Sequence, residues 1–322
     1  MSTATAIAHP NIALVKYWGK RDSAINLPAT GSLSMTLDIF PTTTTVSLDD
    51  SADHDVLVFN GAERTDGPAE RVTRFLDIVR DLAGSALRAR VETVNTVPSA
   101  AGLASSASGF AALAVAAASA YGLDLDAAAL SRLARRGSGS ASRSVIPGFA
   151  VWHAGDDDAS SFAEPVDAPD LAMVVAMVEK GEKAVSSREA MRRTVLTSPF
   201  YPAWVSSTAE SLEAAIEACR AGDIERLGRI TEVNALRMHA LIQSCDPPIR
   251  YLSPVSIEIF DRIAALRDTG VDAWATADAG PNVVVLTRPE SVSAVTAALD
   301  GVNELAVAHP GPAASLLPRT DG

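Results

Sequence analysis

Five short stretches of this 322-residue chain concentrate the side chains that could do chemistry. The segment Pro98-Ser99-Ala100-Ala101-Gly102-Leu103-Ala104-Ser105-Ser106-Ala107-Ser108 follows a valine-rich alternating run and precedes a long apolar one, the order strand, tight loop, helix. Small side chains let a phosphate approach the backbone, the serine hydroxyls donate, and the free amides at a helix start face the anion. The stretch suits nucleotide phosphates, although it lacks the Gly-Lys-Ser/Thr of the commonest phosphate loop. A helix packed closely through Ala and Ser is the plainer account of the same residues. Gly137-Ser138-Gly139-Ser140-Ala141-Ser142-Arg143-Ser144 reads first as a helix end and a solvated loop. Arg143 changes that balance, because a guanidinium among hydroxyls and free amides makes a forked receptor for carboxylate or phosphate.

Three further stretches carry charge. In Lys16-Tyr17-Trp18-Gly19-Lys20 two lysines flank two aromatics inside an apolar segment, which implies a partly buried cationic site rather than a solvated face. Ser186-Ser187-Arg188, with Lys183, Arg192 and Arg193 nearby, reads by default as a capped helix start with a basic exposed face. Asp278-Ala279-Gly280-Pro281-Asn282 lies between two apolar runs, either as an ordinary hairpin turn or as a rigid mount for the Asp278 carboxylate. The five histidines show no ligand spacing and no metal cage is expected; two cysteines, Cys219 and Cys245, give neither a zinc motif nor a disulfide framework.

The elements that must position these groups follow from pattern. Strands are expected at Leu33–Asp38, Thr43–Leu48 and Val56–Phe59, the last entering an Asn60-Gly61 hairpin turn. A helix from Pro68 to Leu82 stops at Gly84, and a strand at Leu87–Asn95 leads into the helix Ser105–Ala120. Asp126 caps a helix ending near Arg136, and Gly148–His153 and Leu171–Val178 read as buried strands. The remainder gives helices at Ser187–Leu196, Pro202–Arg220, Ile224–Leu241 and Pro254–Leu266, the last capped by Ser253. Strands at Val271–Ala277 and Val283–Thr287, a helix at Pro289–Leu299 and a strand at Leu305–Ala308 complete an α+β chain with helices on antiparallel sheet. Two domains are expected, residues 1–182 and 183–322.

A hydrophobic content of 48% and a charged content of 20% exclude wholesale disorder. The net charge of −12 disfavours nucleic acid and anionic membrane as partners, yet Ser131 to Gly155 before Asp156 carries four arginines and no acid, a local place for a small anion. No apolar run spans a bilayer and the N-terminus lacks a leader pattern, so a soluble, cytoplasmic protein is expected.

Taken together and in order, from His9-Pro10-Asn11-Ile12-Ala13 to Asn282, the five stretches resemble the diphosphomevalonate decarboxylases of the GHMP kinase superfamily. The resemblance implies a ribosomal-S5-like N-terminal domain joined to a ferredoxin-like α/β C-terminal domain, with the site in the cleft between them. It implies ATP-dependent conversion of (R)-5-diphosphomevalonate to isopentenyl diphosphate, ADP, phosphate and CO2, with Mg2+ accompanying ATP, and a homodimer.

Carried over position by position, Ser99, Ala101, Gly102, Leu103, Ala104, Ser105, Ser106 and Ser108 hold ATP phosphates and Asn95 helps place the nucleoside. Arg143 grips the substrate carboxylate, in a pocket lined by Ser138, Gly139, Ser140, Ala141 and Ser142. Tyr17, Trp18, Gly19, Lys20, Ser187 and Arg188 serve the diphosphate end, with Arg71 as a further cation, and Asp278 is the catalytic carboxylate. The metal's ligands are not identified. The chain departs from the commoner pattern at Thr30-Gly31, where many relatives have Asn-Ser or Asn-Asn, and at Val145-Ile146-Pro147-Gly148-Phe149, where many have a Gly-Gly pair. Alternatives within the resemblance are a 5-phosphomevalonate decarboxylase or a mevalonate 3-kinase. Outside it stand a serine amidase built on Gly137–Ser144, for which no base can be placed and no Gly-x-Ser-x-Gly elbow occurs, and a catalytically silent nucleotide-binding protein.

Overall fold

The computed structural model describes residues 2–96, 105–178 and 184–318. Strands β1 (Thr3–Ala8) and β2 (Asn11–Val15) lead into a short hairpin, β3 (Lys20–Asp22) and β4 (Leu27–Pro28), then β5 (Ser32–Thr36), β6 (Thr42–Asp49), β7 (Val56–Phe59) and β8 (Ala62–Arg64). Helix α1 (Gly67–Ala83), strand β9 (Arg88–Asn95) and helices α2 (Ser105–Ala120), α3 (Ala127–Gly137) and α4 (Ala141–Ser144) follow. Next come β10 (Phe149–Trp152), β11 (Ala163–Pro165) and β12 (Ala172–Met177), and then α5 (Ser187–Thr197), α6 (Tyr201–Ala221), α7 (Ile224–Gln243) and α8 (Pro254–Asp268). Strands β13 (Ala273–Thr276) and β14 (Val283–Thr287), helix α9 (Val292–Ala298), and strands β15 (Glu304–Ala308) and β16 (Ser315–Leu316) close the chain.

Local signals explain most of these boundaries. Asn60 and Gly61 both take positive φ, 49° and 81°, as a tight two-residue hairpin between β7 and β8 requires. The Asp126 side chain accepts from the Ala129 amide at the start of α3, and Ser253 and Ser256 form a reciprocal capping box on α8. Gly84 ends α1 in the left-handed conformation. The expected helix at Pro289–Leu299 is a 3-10 turn followed by α9. Strands β1 and β2 have no counterpart in the pattern reading: TATAIA is half alanine, a weak strand former, and NIALV is only five residues long.

Three sheets carry the fold. The first runs β16-β1-β6-β9-β7-β8, antiparallel except for the parallel β7–β9 pair. Its strands β6 and β9 bury alternate residues beneath α1 and the alanine-rich α2, so that Val46, Val91, Phe75 and Leu113 share one core. The second, β11-β10-β5-β2, and the third, β13-β14-β12-β15, share a core in which Leu14, Leu33 and Met35 meet Met173, Val175 and Leu286, with Trp274 and Leu227 in the same cluster. Strand β12 is buried along its whole length and pairs with β14 and β15, joining the third sheet to the strands that follow it in sequence. Helices α8 and α9 cover that sheet's other face through Ile259, Ile263 and Val295. Among the described residues no helix is long and apolar enough to cross a membrane.

Candidate active site

The segment leaving β2 forms one wall of a cleft of about 580 Å³. Lys16 is 1% exposed, and its ammonium donates to the Ala13 carbonyl and to the Asp278 carboxylate, both at 2.8 Å. Its backbone amide donates to the Asn234 side chain on α7, also at 2.8 Å. Burial pulls the Lys16 pKa down and the Asp278 carboxylate opposes that pull. Tyr17 packs edge-on against Trp152, and burial holds its hydroxyl protonated well above the ordinary range. That hydroxyl has no hydrogen-bond partner among the described residues. The Trp18 carbonyl accepts from Trp204 Nε1 at 3.0 Å, and Gly19 takes φ 108° with the Tyr201 ring against it, where a Cβ would collide.

Arg143, on the single turn α4, is buried and held by neutral groups. Its Nε and Nη2 donate to Asn11 Oδ1 at 3.3 and 3.1 Å, its Nη1 donates to Ser32 Oγ, and its plane lies 5.8 Å from the Trp152 ring centre. Asn11 in turn donates to Ser144 Oγ at 2.8 Å and the Ser140 carbonyl at 3.0 Å. Desolvation lowers the guanidinium pKa to about 10, with Asp278 and Tyr17 opposing, so Arg143 stays a cation at neutral pH. A buried cation held only by dipoles is a strong attractor for an anion.

Asp278 sits in the turn from β13 to β14, partly exposed to the cleft, and its carbonyl accepts from the Gly280 amide at 2.7 Å. The turn is pinned from outside: Asn282 Oδ1 accepts from the Val178 amide at 2.7 Å and Ser256 Oγ donates to the Pro281 carbonyl. His239 on α7 lies against the Ala277 carbonyl at 3.4 Å, and burial drops its pKa to about 4.

A second cluster in the cleft is cationic. Lys20, Arg71 and Arg188 converge there, and burial with the neighbouring arginines lowers Lys20 to about 8 and Arg71 to about 10. Arg71 lies over the Phe110 ring at 4.9 Å and donates to the Gly137 carbonyl at 3.3 Å. Six cations and only two carboxylates, Glu70 and Asp278, line the cleft, within a chain of net charge −12. Along one flank Ser106, Ser138 and Ser140 form a hydroxyl chain with 3.3 Å steps.

Of the residues singled out in the sequence, Tyr17, Trp18, Lys20, Arg71, Ser106, Ser138, Gly139, Ser140, Arg143, Ser187, Arg188 and Asp278 line this cleft. Others lie off its lining. Ser108 is fully buried and exchanges a 2.7 Å hydrogen bond with Thr42, Ala141 is in the first core, and Ser142 turns back to the Gly139 carbonyl at 2.8 Å. Asn95 ends β9, its amide donating to Asn60 Oδ1 at 2.8 Å. Ser105 begins α2, while Ser99, Ala101, Gly102, Leu103, Ala104 and Lys183 lie outside the described residues. Pattern reading missed Asn11, Asn26 and Ser32, and it placed Lys16 in a partly buried cationic site without its pairing to Asp278. For Lys16 a signal was available: a lysine preceded by NIALV has nowhere solvated to go.

Known proteins of one family resemble the chain over most of its length. Residues 8–163 match the diphosphomevalonate decarboxylase-like N-terminal domain and residues 173–309 the mevalonate 5-diphosphate decarboxylase C-terminal domain. The chain is 36% identical to a diphosphomevalonate decarboxylase of Ganoderma lucidum over 91% of its own length and 80% of that protein's. It superposes with TM-score 0.93 and 43% identity on the mevalonate diphosphate decarboxylase of Enterococcus faecalis, a structure of mevalonate diphosphate mediated ATP binding, covering 99% of each chain. A structure of MDDEF in complex with MVAPP, AMPPCP and magnesium superposes with TM-score 0.94 at 44% identity, again over 99% of each chain.

Proposed function

The chain belongs to the diphosphomevalonate decarboxylase family, and from that premise we propose how its cleft carries out the family's reaction. The reaction is the ATP-dependent conversion of (R)-5-diphosphomevalonate to isopentenyl diphosphate, ADP, phosphate and CO2. Its substrate is an anion at both ends, and the observation that carries the reading is the presence of two charge clusters in one cleft: Arg143 and Asp278 gathered about Lys16, and Arg71 and Arg188 gathered about Lys20.

Arg143 holds the substrate carboxylate, since a planar fork preset on Asn11 and Ser32 matches two oxygens at once. Tyr17, Lys20, Arg71 and Arg188 hold the diphosphate. Asp278 faces the 3-hydroxyl, and Lys16 keeps that carboxylate oriented and ionised. The hydroxyl oxygen attacks the terminal phosphorus of ATP as the bond from that phosphorus to the bridging oxygen breaks and ADP leaves with the electron pair; the hydroxyl proton passes late to Asp278, a weak base that suffices because phosphoryl transfer depends chiefly on positioning and charge. The C3–O bond then breaks, phosphate leaves with its electron pair, and the electrons of the breaking C–CO2 bond form the new double bond. Positive charge developing at C3 is stabilised by the Asp278 carboxylate beside it.

Ser106 and Ser138 offer hydroxyls towards the ATP phosphates. Among the described residues no three His, Cys, Asp or Glu side chains gather as a metal cage, and of the two carboxylates lining the cleft one is tied to Lys16. That donor set fits a magnesium ion carried mainly on nucleotide oxygens, where it neutralises phosphate charge. The family resemblance supports reading the chain as a cytoplasmic homodimer, and sedimentation at twice the 33.5 kDa chain mass checks the dimer.

The test follows ADP and CO2 together with Mg-ATP and mevalonate, 5-phosphomevalonate or 5-diphosphomevalonate. Equal ADP and CO2 from the diphosphate alone is expected. Turnover of the monophosphate, or ADP without CO2, overturns the substrate assignment or the decarboxylation respectively.

A further inference from the structure

Lys20 stands where a cation meets the diphosphate, yet its ammonium is held by a neutral group. It donates to Asn26 Oδ1, and the charges that act on it most strongly are the Arg188 and Arg71 guanidiniums. Asn26 is 7% exposed, takes φ 53°, and spends both amide protons on the carbonyls of Arg135 and Arg136 at 3.0 and 2.9 Å. Those carbonyls belong to the last turn of α3, where a helix leaves its C=O groups without intrahelical partners. The same helix end is clamped from its other side by Asp158, which pairs with Arg132 and Arg135. A single side chain therefore ties the mobile tip of a lysine to a rigid helix end.

The oxygen's neutrality matters as much as its position. A carboxylate at 26 would pair with Lys20 and oppose an incoming diphosphate, and it would turn its oxygens on two carbonyls. Asparagine fixes the ammonium and leaves its charge for the ligand.

We propose that Asn26 is a positioning residue for substrate recognition, holding Lys20 as an uncompensated cation against the diphosphate. The proposal rests on the placing of the diphosphate end given above. Lys20 also shares its cavities with Glu70, Arg71, Arg74 and Asp77 from α1, Arg136 from α3 and Arg188 and Arg192 from α5; the two acids of α1 are themselves paired, Glu70 with Arg74 at 3.6 Å and Asp77 with Arg80.

The experiment compares Asn26→Gly, Asn26→Asp, Lys20→Ala and the Lys20→Ala/Asn26→Gly double variant in steady-state assays on 5-diphosphomevalonate and ATP from pH 6.5 to 9.5. Glycine accepts the positive φ, so Asn26→Gly removes the anchor without straining the backbone. Expected results are a rise of about tenfold in KM for the diphosphate in Asn26→Gly, with kcat and KM for ATP within about twofold. The double variant matches Lys20→Ala alone. In the parent enzyme KM for the diphosphate climbs as pH passes about 8, where Lys20 loses its proton; in Asn26→Asp the climb moves to higher pH and starts from a higher KM. If Lys20→Ala raises KM while Asn26→Gly leaves it unchanged, or if the two losses add in the double variant, the Asn26 proposal is overturned and the diphosphate end stands. If Lys20→Ala leaves KM unchanged, the placing of the diphosphate end fails and takes this proposal with it.

Discussion

Lys16 and Asp278, 262 residues apart in sequence, meet at 2.8 Å between the end of the second strand and the turn beyond β13. The lysine is 1% exposed and the aspartate 29%, so the pair is buried on the protein side and open on the cleft side. Such a pair orients a carboxylate without neutralising its use by a ligand. Asp278→Asn is expected to lower kcat by about 10²–10⁴ while KM for ATP shifts by less than about threefold, the signature of a group acting in the transition state. Lys16→Met should lower kcat about 10²-fold, and the double variant should be no worse than Asp278→Asn alone. Losses of kcat and of ATP affinity in equal measure would contradict the assignment.

The fork on Arg143 gives a second expectation. Asn11 and Ser32 preset its plane, and a lysine in its place keeps a charge but loses the paired donors. Arg143→Lys is expected to reduce kcat/KM for 5-diphosphomevalonate by about 10²-fold, close to 3 kcal/mol at 1.4 kcal/mol per decade. A variant within threefold of the parent would remove Arg143 from carboxylate recognition.

Much of this site was readable in the sequence because its parts are local. The strand–loop–helix order around Ser106, the turn bearing Asp278 and the cap on α5 are each encoded within a dozen residues. What stayed hidden depends on distant pairing: Asn11 reaches Arg143 across 132 positions and Asn26 reaches Arg135 across 109, and no periodicity states which strand will lie beside which helix. Helix phase was the other blind spot. Ser106 and Ser108 are chemically alike in the sequence, but Ser106 meets Ser138 at the cleft whereas Ser108 meets Thr42 beneath the sheet. The first two strands escaped because β1 alternates alanine only with threonine or isoleucine and the apolar run of β2 is four residues long, though β2 delivers both Asn11 and Lys16.

Gly228 on α7 supplies a stability test remote from substrate. A Cβ there would sit inside the Trp274 ring on β13, so helix and strand approach each other through the missing side chain. Gly228→Ala is expected to destabilise the protein by about 1–3 kcal/mol through overpacking. Thermal unfolding reads the loss, while kcat of the folded fraction stays within about twofold. An unchanged melting temperature would show that the α7–β13 contact yields without strain.

His239 makes acid stability sensitive to one buried ring. In the native state burial and the nearby Lys16 hold its pKa at about 4, against 6.5 for an exposed imidazole. Between those values the unfolded chain carries the extra proton, so stability rises with pH across the window and is lost as pH falls from 6.5 towards 4. The separation of the two values corresponds to about 3 kcal/mol at 1.36 kcal/mol per unit. His239→Gln removes the titration and keeps a side-chain donor beside the Ala277 carbonyl. The unfolding free energy of the parent relative to that of His239→Gln, from urea denaturation, should therefore fall by about 3 kcal/mol between pH 7 and pH 4. Because the carboxylates titrate in both proteins, their share cancels in the difference. Parallel curves from pH 7 to pH 4 would mean that the native ring takes up its proton as readily as the unfolded one, and that His239 does not act as the neutral prop behind the Asp278 turn.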